Sequence, residues 1–519
     1  MIYLPWQPIA SAGLAWFIYK IYKARTPERP GPPGIPFLGN LLEIGPLPHI
    51  PFTKWAQKYG DVFFLKMGPL EWMIINSPEA LHEVLSRRGA TFASRPHQTM
   101  LSDVASEGRD GIVGLSYGPV WKMARRVFTT VFSKSSVQAY EPILTHEARS
   151  LCRALIEDNR VHGSKGFSTR FHHQWHSFNV IISVCFGFRV NSYTDSLCQL
   201  QLKINHQLFQ ALDPKYYLAD FLPFLRPFSM KKKREMKKVM DNTLDFSKRL
   251  YDRYKENKER IDAKIPTNMC KYIQELQDAG ELRERNVYLL LGETFAAGLD
   301  TASTSLTWLS LILATRPDVQ KKAHDELDRI VGRNRLPTQE DIDSLPYIRC
   351  ILQESVRVRG PSPLGLTRTC LEDSEYRGML VRKGTWIIPN VHATHSVYSH
   401  LDDPTSFVPE RWESNPKSLV EETMGKQGTR EIWTFGGGRR VCPGLHLANA
   451  SLIQALTHIL WSFTLVPGDG VNIDLDEMEE GLTNLPLEQM VRYIPRGEHV
   501  EPLLSADRQV SLADTLSNE

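Results

Sequence analysis

Apolar side chains return every three or four positions over most of residues 51–359, and the spacing predicts long helices at 135–156, 244–260 and 286–313. Short apolar or alternating runs bounded by turn residues predict strands near 62–67, 72–75 and 379–388. No fixed-period repeat and no low-complexity block interrupts the pattern. The expected architecture is mainly α with a small β region, in one large domain over residues 41–497.

The ends read differently. Residues 1–19 carry no charge and contain an apolar stretch at 9–19, while Pro5 and Pro8 shorten any helix from the front. A span of the hydrocarbon core wants about 20 apolar residues, so the segment is marginal. Its charges, Lys20, Lys23, Arg25 and Arg29, follow the apolar run, which is the wrong polarity for a cleaved secretory signal. An uncleaved anchor over residues 1–24 is expected, with the body on the cytosolic side. Pro27, Pro30, Pro32, Pro33 and Pro36 make residues 25–40 a stiff hinge. Residues 498–519 are polar and expected to be loose.

Charge and cysteine content narrow the function. With 62 Lys+Arg against 59 Asp+Glu the net charge is only +3, which argues against a strongly basic nucleic-acid binder and an acidic disordered chain. The 7 cysteines are scattered, odd in number and without a CxxC pair, so a disulfide framework is not expected. A thiol is left over for metal ligation.

Five motifs stand in order along the chain. Trp121 and Arg125 lie one helical turn apart. Ala297, Gly298, Asp300, Thr301 and Ala302 interrupt a long apolar helix with mediocre helix formers. Glu354 and Arg357 are three apart, and Arg411 follows in Phe407-Val-Pro-Glu-Arg-Trp412. Phe435, Gly436, Gly438, Arg440, Cys442 and Gly444 complete the last motif, ahead of a helical stretch at 445–463. Singly most of these are weak: a Trp/Arg pair at i, i+4 is usually a surface cation–π contact, and Glu/Arg at i, i+3 an ordinary helix pair. The Ala/Gly notch could simply pack helices, with Thr301 bonding back to the preceding turn. Together, and in this order from the hinge to about residue 496, they resemble the cytochrome P-450 family, in the style of its fungal microsomal members.

That resemblance implies haem b with Cys442 as axial thiolate. Phe435 would pack beside the sulfur, with Gly436 and Gly444 allowing close approach, and the following helix would aim its N-terminus at the anion. Arg440, Trp121, Arg125 and Arg368 would meet the propionates. Ala297 and Gly298 would widen the long helix to admit oxygen, and Asp300 with Thr301 would relay protons. Glu354, Arg357 and Arg411 would form a buried ionic network, where Trp412 replaces the usual Phe. The resemblance further implies electrons from NADPH through a separate reductase, and Lys122, Arg126, Lys134 and Arg439 offer a basic docking patch. The substrate would be a small or medium lipophilic molecule of secondary or aromatic metabolism. It would be met by residues near Ala297, Leu364 to Leu366, Leu485 and the loop 99–114. Expected placement is the endoplasmic reticulum membrane. Phe221, Phe224 and Phe228 on a proline-broken loop, followed by the lysines of 231–238, suggest contact with lipid and anionic headgroups. The rival is a core loop beside a solvated basic helix. Two other functions stay open: a haem-thiolate isomerase or dehydratase without need of oxygen, and a haem sensor or carrier with both axial positions filled by protein.

Overall fold

A computed structural model describes residues 29–212, 218–425 and 428–508. The main helices are α1 (His49–Tyr59), α2 (Pro119–Val131), α3 (Glu141–His162), α4 (Arg170–Phe186), α5 (Ser196–Leu212), α6 (Met230–Glu256), α7 (Met269–Asp278), α8 (Glu284–Ala314), α9 (Pro317–Ile330), α10 (Pro346–Val358) and α11 (Leu445–Ser462). Proline stands in the first turn of α2, α3, α9 and α10, where its missing N–H costs nothing. α6 shows why a charged sequence folds as a helix here. Met236, Met240, Thr243, Ser247, Leu250 and Tyr254 fall on one buried face, and the lysines point to solvent.

Eight strands fall into three small sheets: β1 (Val62–Met67), β2 (Leu70–Ile75), β3 (Arg368–Thr369), β4 (Ser374–Tyr376), β5 (Met379–Val381), β6 (Trp386–Pro389), β7 (Phe463–Pro467) and β8 (Val491–Pro495). The largest has the order β1-β2-β6-β3. β2 and β6 run parallel with Trp72 opposite Trp386, and the two indoles stack 5.4 Å apart. Antiparallel pairing of β3 sets Arg368 opposite Ile387, which turns the arginine toward the cysteine loop.

α8 is the centre of the molecule. Its residues contribute to two large hydrophobic clusters, one shared with α10 and α11 and the other with α2, α4 and α6. From Asn286 to Ala314 every residue is buried except Glu293, Ala296, Ala297, Gly298, Asp300, Thr301 and Ala302. Positions 293, 297, 300 and 301 share one helical face, so this stripe opens on an internal space rather than on packed core.

The sequence expectations meet three findings. α8 stays helical from end to end, through Ala297 and Gly298. The described part of the stiff hinge is tied to the domain: Phe64 N donates to Pro30 O at 2.8 Å, Arg29 pairs with Glu71 at 2.6 Å, and a bridge joins Gly39 to Met67. The tail beyond residue 497 begins as a docked helix, Val500–Arg508, because Val500 and Leu504 are both buried and Arg153 donates to Leu504 O at 3.2 Å. The expected anchor lies outside the described residues, and among those described no helix is long and apolar enough to cross a membrane.

Candidate active site

The cysteine loop is built by backbone hydrogen bonds. Cys442 N donates to Phe435 O at 2.9 Å, Gly436 N to Trp433 O at 2.8 Å, and Val441 N to Gly438 O at 3.1 Å. Gly438 has φ +59, and a Cβ there would stand 1.8 Å from Leu85 O, so only glycine fits against the preceding wall. The half-buried Cys442 packs with Phe435 and Ala302 against the core that α8 and α11 share. Burial pushes its thiol up from the ordinary range, while a backbone donor at Gly444 and the Arg125 guanidinium pull it down.

Behind the loop lies a closed charge network. Glu354, at 0% exposure, accepts from Arg357 Nε at 2.9 Å and Nη2 at 2.7 Å, from Arg411 Nε at 3.0 Å and from Val408 N at 3.0 Å. Trp412 adds its indole Nε1 at 2.9 Å, a contact that phenylalanine could not make. Arg357 Nη1 goes on to His395 O at 2.9 Å. His395 links this network to the loop: its Nδ1 lies 2.8 Å from Arg357 O, and its Nε2 accepts from Trp433 N at 2.8 Å. Those two partners fix the neutral tautomer with the proton on Nδ1. Burial, with Arg357 adding, holds the ring down at about 3.

In front of the loop the charges are open. Arg440 lies over the Trp121 ring at 4.2 Å and donates to Ala93 O at 2.8 Å, Ile112 O at 3.3 Å and Leu115 O at 2.6 Å. Arg368 Nη2 donates to Gly437 O at 2.8 Å. Arg95, a residue that sequence reasoning missed, donates to Val113 O at 3.0 Å and Thr367 O at 2.6 Å. All these partners are carbonyls, and among the described residues no carboxylate pairs with Arg95, Arg368 or Arg440. Burial, with mutual repulsion adding, lowers Arg440 to about 8 and Arg368 to about 9; burial lowers Arg95 to about 10. Burial also lowers Arg125. Arg368 Nη1 and Trp121 Nε1 are buried donors without a partner among the described residues. Buried cations and orphaned donors at one place are costly unless an anion completes them. A haem with two propionates is such an anion, and the residues present fit it.

The accessible stripe of α8 offers small side chains at Ala296, Ala297, Gly298 and Ala302, and no metal-ligating group among them. Thr301 Oγ1 donates back to Ala297 O at 2.7 Å. Asp300 turns the other way and accepts from Asn205 Nδ2 of α5 at 2.9 Å. No hydrogen bond joins Asp300 to Thr301 among the described residues, because consecutive helical positions diverge by about 100°. Burial pushes the Asp300 carboxyl up to about 6 against the pull of Asn205. Of the leucines expected to meet substrate, Leu366 is exposed and Leu485 half-buried, whereas Leu364 packs into the sheet cluster with Trp72 and Trp386. Lys122, Arg126, Lys134 and Arg439 are all exposed, although Arg126 pairs with Glu281 and Arg439 with the Tyr117 hydroxyl.

A family model described as Cytochrome P450 matches residues 29–492. The chain is 29% identical to a cytochrome P450 monooxygenase of Armillaria gallica, over 94% of this chain and 94% of that protein. It is 28% identical to cytochrome P450 monooxygenase patH of Penicillium expansum, over 96% and 95%. The patH protein of Aspergillus clavatus is 30% identical, over 88% and 86%.

Trp412→Phe keeps an aromatic ring but removes one donor from a buried carboxylate. It is expected to cost about 1–2 kcal/mol in denaturant unfolding; a variant as stable as wild type would show that the indole N–H contributes nothing.

Proposed function

Since the chain belongs to the cytochrome P450 family and is a cytochrome P450 monooxygenase, we propose that it inserts one oxygen atom of O2 into a small or medium lipophilic substrate. In this reading Cys442 would hold the iron of haem b through its thiolate, and electrons would come from NADPH through a separate reductase. When bound, the haem supplies oxygen activation, which an axial thiolate favours by pushing electron density toward iron. The observation that carries the reading is a half-buried Cys442 in its glycine-rich loop together with small residues at Ala297, Gly298 and Ala302 on α8. The carboxylates on the same stripe are engaged elsewhere, Glu293 with Ile112 N and Val113 N and Asp300 with Asn205, which disfavours a sensor with both axial positions filled by protein.

The chain's own residues do the rest. Arg95, Arg125, Arg368, Arg440 and the Trp121 indole hold the propionates. The closed network of Glu354, Arg357, Arg411 and Trp412, with His395, keeps the cysteine loop in place. Ala297, Gly298 and Ala302, small and not buried, would leave room for oxygen beside a bound haem. Asp300 holds a proton on Oδ1 or Oδ2, and Asn205 fixes which way that carboxyl points. Thr301 relays the proton once its hydroxyl leaves Ala297 O. Lys122, Arg126, Lys134 and Arg439 receive the reductase. A place in secondary or aromatic metabolism is part of the same reading.

The chain acts at a membrane surface, of the endoplasmic reticulum, in the same reading. Phe221 is buried between Trp72 and Trp386, but Phe224 and Phe228 are 68% and 83% exposed on the 3-10 helix Pro223–Ser229. Phe37 and Leu42 are 89% and 72% exposed, and both segments meet at Gly68, where Gly68 N donates to Leu38 O and Phe221 O lies close by. Monomeric soluble proteins rarely expose such a patch, and the lysines of 231–238 flank it.

Two outcomes test these readings. An acid form of Asp300 is present below about pH 6 and lost as pH rises through that value. The share of NADPH equivalents recovered in product should therefore fall as pH rises through about 6, with hydrogen peroxide making up the difference. Asp300→Asn should be low and flat with pH. Product formed without NADPH or O2 consumption would instead mark an isomerase or dehydratase. For the surface, an environment-sensitive dye on Phe228→Cys should shift to the blue when the full chain binds phosphatidylserine vesicles. An unshifted dye on vesicle-bound protein would show that this segment faces water.

A further inference from the structure

The loop from Gly111 to Leu115 is held from both sides. Its carbonyls face the haem-edge cations: Ile112 O and Leu115 O accept from Arg440, and Val113 O from Arg95. Its amides face α8: Ile112 N donates to Glu293 Oε2 at 2.6 Å and Val113 N to Glu293 Oε1 at 3.2 Å. Gly111 N donates to Asn286 Oδ1 at 3.0 Å, and a Cβ on Gly111 would lie 2.6 Å from Glu293 Oε1. The loop start is fixed separately, with buried Asp110 paired to Arg283 and to Arg285 at 3.0 Å.

Glu293 lies one turn before Ala297 and two before Asp300 and Thr301, on the accessible stripe of α8. No cation pairs with it among the described residues; its charge is met by two backbone amides. Burial pushes its carboxyl up to about 7, with Asp110 adding, against the pull of those amides. A carboxylate kept there against desolvation needs a reason, and the double amide contact supplies one.

We propose that Glu293 is a positioning residue, whose carboxylate holds the 111–115 loop so that its carbonyls set Arg95 and Arg440 at the propionate edge. It acts through the loop, by way of Ile112 N and Val113 N. This inference rests on the haem reading above. It adds that α8, which presents the oxygen side of the site, also sets the anion clamp on the haem edge.

Glu293→Gln in the full-length holoenzyme is the test, because glutamine keeps one acceptor and turns an NH2 toward an amide donor. Three rates are measured: amide exchange in peptides covering 108–118, exchange in peptides covering 350–360, and transfer of haem to apomyoglobin. Exchange at 108–118 should rise roughly tenfold, as expected for loss of a charge-assisted hydrogen bond, with 350–360 unchanged. Haem transfer should accelerate several-fold, and Glu293→Asp, which keeps the charge on a shorter arm, should fall between. If exchange at 108–118 is unchanged, or rises equally at 350–360, Glu293 does not position this loop. If the loop loosens but haem transfer does not change, the link to Arg95 and Arg440 is wrong. Should Glu293→Gln not fold, Glu293→Asp decides by the same three rates. Exchange in the loop is read without reference to haem ligation, so failure of the haem reading, shown by a wild type that holds no haem, stays distinguishable.

Discussion

Glu354 sits where water cannot reach, and the proximal half of the molecule is arranged around that one charge. A buried carboxylate is tolerable only when its lone pairs are filled, and here two arginines, an indole and a backbone amide fill them. Those donors come from α10 and from the segment at 407–412, so satisfying the charge pins the two together. Arg357 carries the constraint to His395, and His395 carries it to Trp433, three residues before Gly436. The position of the cysteine loop is thus a consequence of charge satisfaction at some distance from it. Removing one partner leaves an uncompensated group in the core, a far larger penalty than a surface ion pair would carry.

The front of the cysteine loop follows the opposite logic. Arg95, Arg125, Arg368 and Arg440 gather with carbonyl and ring partners, and each is lowered from its ordinary value. One network closes on itself and the other does not. The open one marks where a ligand belongs, and buried donors on Trp121 and Arg368 have no partner among the described residues. Closed charges make scaffold; open charges make a site.

Much of this was legible in the chain because short motifs encode local geometry. Glycines at 436 and 438 announce a backbone that other residues cannot adopt, and the Glu/Arg and Trp/Arg spacings match one helical turn. The long helices and the strand at 62–67 followed from apolar periodicity alone. What escaped depends on long-range contact. Arg95 meets Val113 and Thr367, Asn205 reaches Asp300 from α5, and His395 joins α10 to Trp433; no spacing rule connects such pairs. Glu293 did leave a signal, a carboxylate inside an apolar helical run. Asp300 and Thr301 share no hydrogen bond among the described residues, since neighbours on a helix point apart, and each has its own partner in Asn205 and Ala297 O. Val500 and Leu504, four apart, are the apolar pair that makes the expected loose tail dock.

The account stands or falls on the thiol of Cys442. The most direct measurement is the carbon-monoxide difference spectrum of the dithionite-reduced protein, wild type beside Cys442→Ser. Thiolate ligation predicts a strongly red-shifted Soret band in the wild type and its loss in the variant. A band at the position typical of histidine-ligated haem, or no haem bound at all, would contradict it.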